Sequence, residues 1–238
     1  MRPAPDRRDP AVLHESAGVV AVVKPPGLPT QAPAGIRSVE AWLRERVGIG
    51  GYVGVPHRLD RAVSGVMLLA VTPRAARTLS RQFERRQVRK MYLAVAAVHV
   101  GCAATRAAGE WRDLVEKVPD EPRARIVAAP APQAREAVTL VTEIATGHDL
   151  QGGRQVLLRL EPVTGRMHQL RVQAAHRGLP IVGDALYGET PLPADEPRAG
   201  AILLHARSIT FTDPDTGAAV TVGVPPPPWW PAWAQAAS

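Results

Sequence analysis

Apolar residues run without interruption from Gly18 through Val23, the pattern of a buried strand, and again from Val66 to Val71, a compact run of strand length. The first run, GVVAVVK, closes on Pro25-Pro26-Gly27, which ends the strand and opens a loop. Apolar positions over Met91–Val100, Ala137–Ala145, Val156–Leu160 and Ala201–Phe211, several of them alternating, predict further strands. Helical signals are fewer. Ser38 is placed to cap a short helix ending at Val47, and Thr72-Pro73 offers an N-cap with proline at the first helical position for a helix to Arg86. On that second helix Ala76, Leu79 and Phe83 form an apolar stripe, while Arg74, Arg77, Arg81 and Arg85 line another face. Thr164 predicts the cap of a helix over Arg166–Arg177, ended by Gly178 and Pro180. Strands outnumber helices without alternating regularly with them, so the pattern predicts an α+β fold, a mixed, mostly antiparallel sheet with flanking helices.

Composition supports a folded chain: 45% of the 238 residues are hydrophobic and 21% charged, far from a disordered balance. Residues 1–10 and the close of the chain, PPPPWWPAWAQAAS, are rich in proline or small residues and read as tails that lie against a single body or extend free, with 11–228 as that body and 229–238 as the C-terminal tail. The net charge of +7 comes mainly from arginine, since Lys24, Lys90 and Lys117 are the only lysines. Guanidinium groups fork onto phosphates and stack on bases, which makes nucleic acid a plausible partner. A GC-rich genome gives the same bias, so charge alone does not decide. Cys102 is the only cysteine, which excludes an intrachain disulfide and a cysteine-rich zinc site and fits a reducing, cytoplasmic setting. Neither a signal peptide nor an apolar run of membrane-spanning length is visible. A soluble protein with no membrane partner is expected.

The segment richest in chemistry is Pro56-His57-Arg58-Leu59-Asp60-Arg61-Ala62-Val63-Ser64-Gly65, a polar loop before an apolar strand. A carboxylate flanked by Arg58 and Arg61 is held ionised if either guanidinium lies near it, and can act as a nucleophile or as an electrostatic stabiliser at a sugar carbon. A loop aspartate in a surface ion pair gives the same local pattern. His57, His168, His176 and His205 are scattered with no HExxH or Cys/His spacing, so packing and hydrogen bonding explain them better than a metal.

This segment resembles the central motif of the RluA-type pseudouridine synthases, His-Arg-Leu-Asp followed shortly by Ser-Gly. The resemblance continues in order through Val22-Val23-Lys24-Pro25-Pro26-Gly27-Leu28, Lys90-Met91-Tyr92-Leu93-Ala94, Thr164-Gly165-Arg166-Met167-His168-Gln169-Leu170-Arg171-Val172, Gly183-Asp184-Ala185-Leu186-Tyr187-Gly188 and Leu204-His205-Ala206, covering residues 12–228. It implies the pseudouridine synthase catalytic fold and an isomerase that turns a uridine out of structured ribosomal or transfer RNA. Asp60 matches the family's essential aspartate, Tyr92 the tyrosine that packs on the target base and helps remove the carbon 5 proton, and Arg171 the basic residue that pairs with the aspartate. Arg58 resembles the arginine that enters the helix where the nucleotide leaves it. His57, Arg61, Arg166, His168 and Leu170 fall in the same motifs and are expected at the RNA, with Arg74, Arg77, Arg81 and Arg85 contacting phosphates. Gly183-Asp184 and Tyr187-Gly188 read as turn formers. Isomerisation involves no net redox change and no second substrate, so neither metal nor cofactor is expected, nor an obligate protein partner, and a monomer is the default. The body starts almost at once, leaving no room for the separate N-terminal RNA-binding module of many relatives. Two positions depart from the family pattern: Val63 stands where threonine is usual, and Gln173 where histidine often follows Arg-Val. A non-catalytic RNA-binding protein and a hydrolytic nucleosidase are the competing readings. The first needs no carboxylate amid phosphates, and the second would release free uracil.

Overall fold

The computed structural model describes residues 9–98, 107–195, 198 and 200–238. The chain forms two compact units, one of Met1–Arg89, Ala199–Ala201 and Ala206–Val224, the other of Lys90–Arg198, Ile202–His205 and Pro225–Ser238.

In the first unit, strands β1 (Ala11–Glu15), β2 (Val19–Lys24) and β3 (Ser64–Ala70) lie side by side, followed by β9 (Leu204–Thr212) and β10 (Ala219–Gly223). The β1–β2, β2–β3 and β9–β10 pairs are antiparallel, with Lys24 opposite Gly65 and Val22 opposite Met67. Every residue of β3 is buried, as its unbroken apolar run requires. Helix α1 (Val39–Val47) starts where Ser38 accepts the Ala41 N–H, and α2 (Pro73–Glu84) where Thr72 accepts the Ala75 N–H. Both caps match the sequence expectation. Leu79 and Ala75 of α2 enter a core with Val19, Ala21, Val66, Leu68, Ile209 and Phe211, which turns Arg74, Arg77, Arg81 and Arg85 outward. At Gly65 the backbone has φ +116°, and a Cβ there would stand 2.3 Å from the carbonyl oxygen of Ala206, so only glycine lets β9 approach β3.

The second unit orders its strands β4 (Arg89–Ala97), β8 (Arg154–Pro162), β7 (Arg135–His148), β5 (Gly109–Lys117) and β6 (Ala124–Val127), each neighbouring pair antiparallel. The expected end of β4, at His99 and Val100, lies outside the described residues. Helix α3 (Gln169–His176) packs on β5 and β6, with Val172 meeting Val115, Ala124 and Ala137.

Two sequence expectations change here. The third helix begins at Gln169, not Arg166, because His168 takes a left-handed backbone (φ 50°) just before it. Thr164 is no cap: its buried hydroxyl accepts the Val138 N–H and donates to Gln169 Oε1. Of the two courses open to the C-terminal tail, the residues after Pro225 take the packed one. Helix α4 (Ala232–Ala236) packs on β7, Trp230 and Ala234 are buried with Leu93, Val95, Leu157 and Leu203, and the Trp233 ring lies so close to Gly147 that a Cβ would stand 2.3 Å from it.

Candidate active site

Asp60 opens a tight turn in the first unit, closed by the Val63 N–H donating to its carbonyl at 3.1 Å. The loop that follows β2 fixes this turn by several bonds. Thr30 Oγ1 donates to the Leu59 carbonyl at 2.8 Å and accepts the Leu59 N–H at 3.2 Å. The Gly27 N–H donates to the Arg61 carbonyl, and Arg61 Nε donates to the Gly27 carbonyl, each at 2.8 Å. Val63, which departs from the threonine that the family resemblance leads one to expect, is buried (3% exposed). His57, expected at the RNA, is committed inward: Nε2 accepts the Leu68 N–H at 2.9 Å and the ring stacks on Phe83 at 4.5 Å. Its place in the motif is to anchor the loop. Arg58 and Arg61 are exposed, and Asp60 is half-buried.

Sequence reasoning passed over Lys24. The side chain is fully buried, and its ammonium donates to the carbonyls of Pro25 (2.9 Å), Leu28 (2.8 Å) and Arg61 (3.1 Å). One cation thus joins the loop after β2 to the Asp60 turn. Burial pushes its pKa down from 10.5 to about 7; the Asp60 carboxylate opposes that shift and the Arg61 charge adds to it. The unfolded chain therefore holds this proton over the interval from about 7 to 10.5, where the folded chain has released it. For this group alone, folding stability rises with pH across that window and is flat below it. Direct NMR titration of the Lys24 amine should give a midpoint near 7. The wild-type melting temperature should also gain on that of Lys24→Met as pH is raised from about 7 to about 9. An amine titrating near 10 would refute the assignment.

In the second unit, Arg171 (7% exposed) donates from Nε and Nη2 to the two carboxylate oxygens of Asp184 (1% exposed), both at 2.7 Å. Its guanidinium carbon lies 5.2 Å from the centre of the Tyr187 ring. Asp184, read from sequence as a turn former, is thus also the buried counter-charge that orients Arg171. Gln173 is equally well held. Its amide oxygen accepts from Thr139 Oγ1 (2.7 Å), and its amide nitrogen donates to Asp113 Oδ2 (2.7 Å) and to the carbonyls of Ala137 and Trp111. This neutral side chain fixes α3 against β5 and β7, which is why an amide serves at this position. Leu170 is buried, whereas Tyr92, His168 and Arg166 are half-buried, Arg166 with Nε on the Glu136 carbonyl at 2.9 Å. His205 is buried edge-on to Trp230.

The first unit thus brings together Lys24, His57, Arg58, Asp60 and Arg61, with the α2 arginines on its surface. The second brings together His168, Leu170, Arg171, Asp184 and Tyr187. Nothing in the local sequence around Lys24 or Asp184 announces these roles, although both lie in segments that carry the family resemblance.

Residues 18–176 match the family model described as RNA pseudouridylate synthase. Among solved structures, the human RNA pseudouridylate synthase domain containing 1 superposes with a TM-score of 0.72 at 26% identity, covering 95% of this chain and 87% of that one. The fold is therefore that of the pseudouridine synthase catalytic domains, a class of RNA isomerases. Two proteins of Yersinia pestis are closer in sequence. A tRNA pseudouridine synthase C is 34% identical across 89% of this chain and 84% of its own length, and a dual-specificity RNA pseudouridine synthase RluA is 31% identical across 87% and 94%. The chain belongs to the RluA-type RNA pseudouridine synthases.

Proposed function

We propose that this enzyme isomerises uridine in transfer RNA or ribosomal RNA, with Asp60 as the group that acts on the target nucleoside. The observation that carries the reading is the construction of the Asp60 turn at the His-Arg-Leu-Asp motif, where Thr30, Gly27 and the buried Lys24 hold the Leu59 and Arg61 carbonyls on either side of the half-buried aspartate. A uridine stacked in RNA cannot present its glycosidic bond to a protein carboxylate, so the nucleotide is turned out at a cost of a few kcal/mol. The exposed Arg58, planar and cationic, fills the gap by stacking. Asp60 attacks the sugar carbon as its bond to uracil N1 breaks, the base turns, and carbon 5 attacks the same carbon and displaces the carboxylate, while N1 takes up a proton. The carbon 5 proton then leaves with help from Tyr92. Arg171 serves as the basic residue of the reaction, with a guanidinium that Asp184 holds in one orientation. Transfer RNA is the first substrate to test, because relatives that match most of this chain are named for it. The enzyme is proposed to work as a cytoplasmic monomer without a cofactor.

RNA labelled with tritium at carbon 5 of uridine tests this reading directly. Tritium release from transfer or ribosomal RNA with the base retained in the chain is expected. Free uracil would point to a glycosylase, and the absence of release from both RNAs to a binding protein.

The exposed arginines of α2 supply phosphate contacts in this scheme. Replacing Arg77 and Arg81 together by alanine should weaken RNA binding and make the plot of log affinity against log salt shallower by about 1.5, since each lost contact removes roughly 0.7–0.9. An unchanged slope in titrations at several salt concentrations would make that face merely solvated.

A further inference from the structure

We propose that Tyr187 is a positioning residue for the reaction, fixing the tautomer of His168 through its hydroxyl and the plane of Arg171 through its ring. The proposal rests on the reading above, in which Arg171 serves the chemistry and His168 meets the RNA.

Tyr187 lies in the Gly183–Gly188 segment, which carries the family resemblance and whose residues read from sequence as turn formers. The turn is wound about one carbonyl, that of Asp184, which accepts the N–H groups of Tyr187 at 3.0 Å and Glu189 at 3.1 Å. This winding lets two side chains three positions apart serve Arg171 and His168. Asp184 takes the Nε and Nη2 edge of Arg171, and the Tyr187 ring takes its face. A guanidinium clamped on one edge and one face is fixed in its plane.

The hydroxyl does separate work. The Ala124 N–H donates to Tyr187 Oη at 2.8 Å, and His168 Nδ1 lies 3.0 Å from the same oxygen. A backbone amide can only donate, so the phenol is the acceptor there. A phenol oxygen is a poor double acceptor because one lone pair is conjugated with its ring. Its proton therefore goes to His168 Nδ1, and the imidazole carries its own proton on Nε2. The two rings meet nearly at right angles, 88° apart with centroids at 5.8 Å. His168 also has a left-handed backbone, within the turn closed by the Gln169 N–H donating to the Arg166 carbonyl, a conformation costly for a residue with a Cβ. Strained backbone and fixed tautomer occur in the same residue, immediately before α3 and three residues ahead of Arg171. The arrangement fixes the direction of the His168 ring, which the reading above places at the RNA.

Two substitutions separate the two tasks. Tyr187→Phe keeps the ring beneath Arg171 and loses both hydrogen bonds of the hydroxyl. It should raise KM and the RNA dissociation constant about fivefold while kcat stays within about twofold. Tyr187→Leu removes the ring as well and should lower kcat about tenfold or more. In the wild-type protein, ¹⁵N NMR should show His168 Nδ1 unprotonated and Nε2 protonated, and Tyr187→Phe should mix the tautomers. Combining Tyr187→Phe with His168→Ala should be no worse for binding than His168→Ala alone. The proposal is overturned if Tyr187→Phe lowers only the melting temperature with KM, affinity and the ¹⁵N signature unchanged, or if the two substitutions add in full. Arg171→Lys in the same assay tests the underlying reading: wild-type kcat there would remove Arg171 from the chemistry whatever Tyr187 does.

Discussion

Asp60→Asn is expected to cut tritium release from carbon 5 of uridine by at least about a thousandfold, while RNA binding and the melting temperature stay close to wild type. Asparagine has nearly the volume of aspartate. The backbone that presents the residue is fixed by other groups: the Asp60 carbonyl takes the Val63 N–H, and the flanking Leu59 and Arg61 carbonyls take Thr30, Gly27 and Lys24. What disappears is the anion, and with it both the nucleophile and the negative charge that stabilises a cationic sugar. Binding should tighten slightly, since a carboxylate next to phosphates repels them. Single-turnover assays beside a binding titration and a thermal melt give the three readouts. Release by Asp60→Asn at a comparable rate would assign the chemistry to another residue. Loss of all three properties at once would make Asp60 a structural group.

Asp184→Asn should damage the enzyme in a different way. Arg171 and Asp184 are both buried, and the amide offers the guanidinium one acceptor oxygen in place of two and removes the Asp184 charge beside it. Breaking one side of such a buried pair costs about 3–5 kcal/mol, against a median below about 1 kcal/mol for pairs on a surface. For a chain of this size the melting temperature should fall by roughly 10 °C. Activity measured well below that transition should fall too, because Arg171 loses the contact that sets its direction. Full stability in Asp184→Asn would show that the guanidinium finds other acceptors. Full activity with reduced stability would confine Asp184 to holding the fold.

How far the sequence disclosed these arrangements depends on how local each signal is. Strands β2 and β3 were legible because burial on both faces demands an unbroken apolar run, and α1 and α2 because Ser38 and Thr72 are caps that act within three residues. The Asp60 motif was legible as a resemblance. Strands β1, β5, β6 and β10 were not, since each mixes charged, polar or exposed positions with few buried ones. Lys24 looked like the polar end of a strand. Its meaning depends on the Arg61 carbonyl, 37 positions away. Asp184 likewise depends on Arg171 across 13 positions, and the chain after Pro225 on a glycine in β7 that leaves room for a tryptophan ring. Thr164 misled because a threonine before a polar turn has the local pattern of a helix cap, and only the Val138 amide shows that its hydroxyl is used elsewhere.

The path of the chain through its two units bears on how genes of this kind can be rearranged. Neither unit is a continuous stretch: the first reclaims Ala206–Val224 after the second has taken Lys90–Arg198, and the second reclaims Pro225–Ser238. A recombination breakpoint near residue 90 would therefore not transplant one unit intact, because strands β9 and β10 would come from the other parent. Chimaeras joined there must match Gly65 of one ancestor to Ala206 of the other at a spacing with no room for a Cβ. Exchange between relatives should succeed most readily when the whole span is inherited from a single parent.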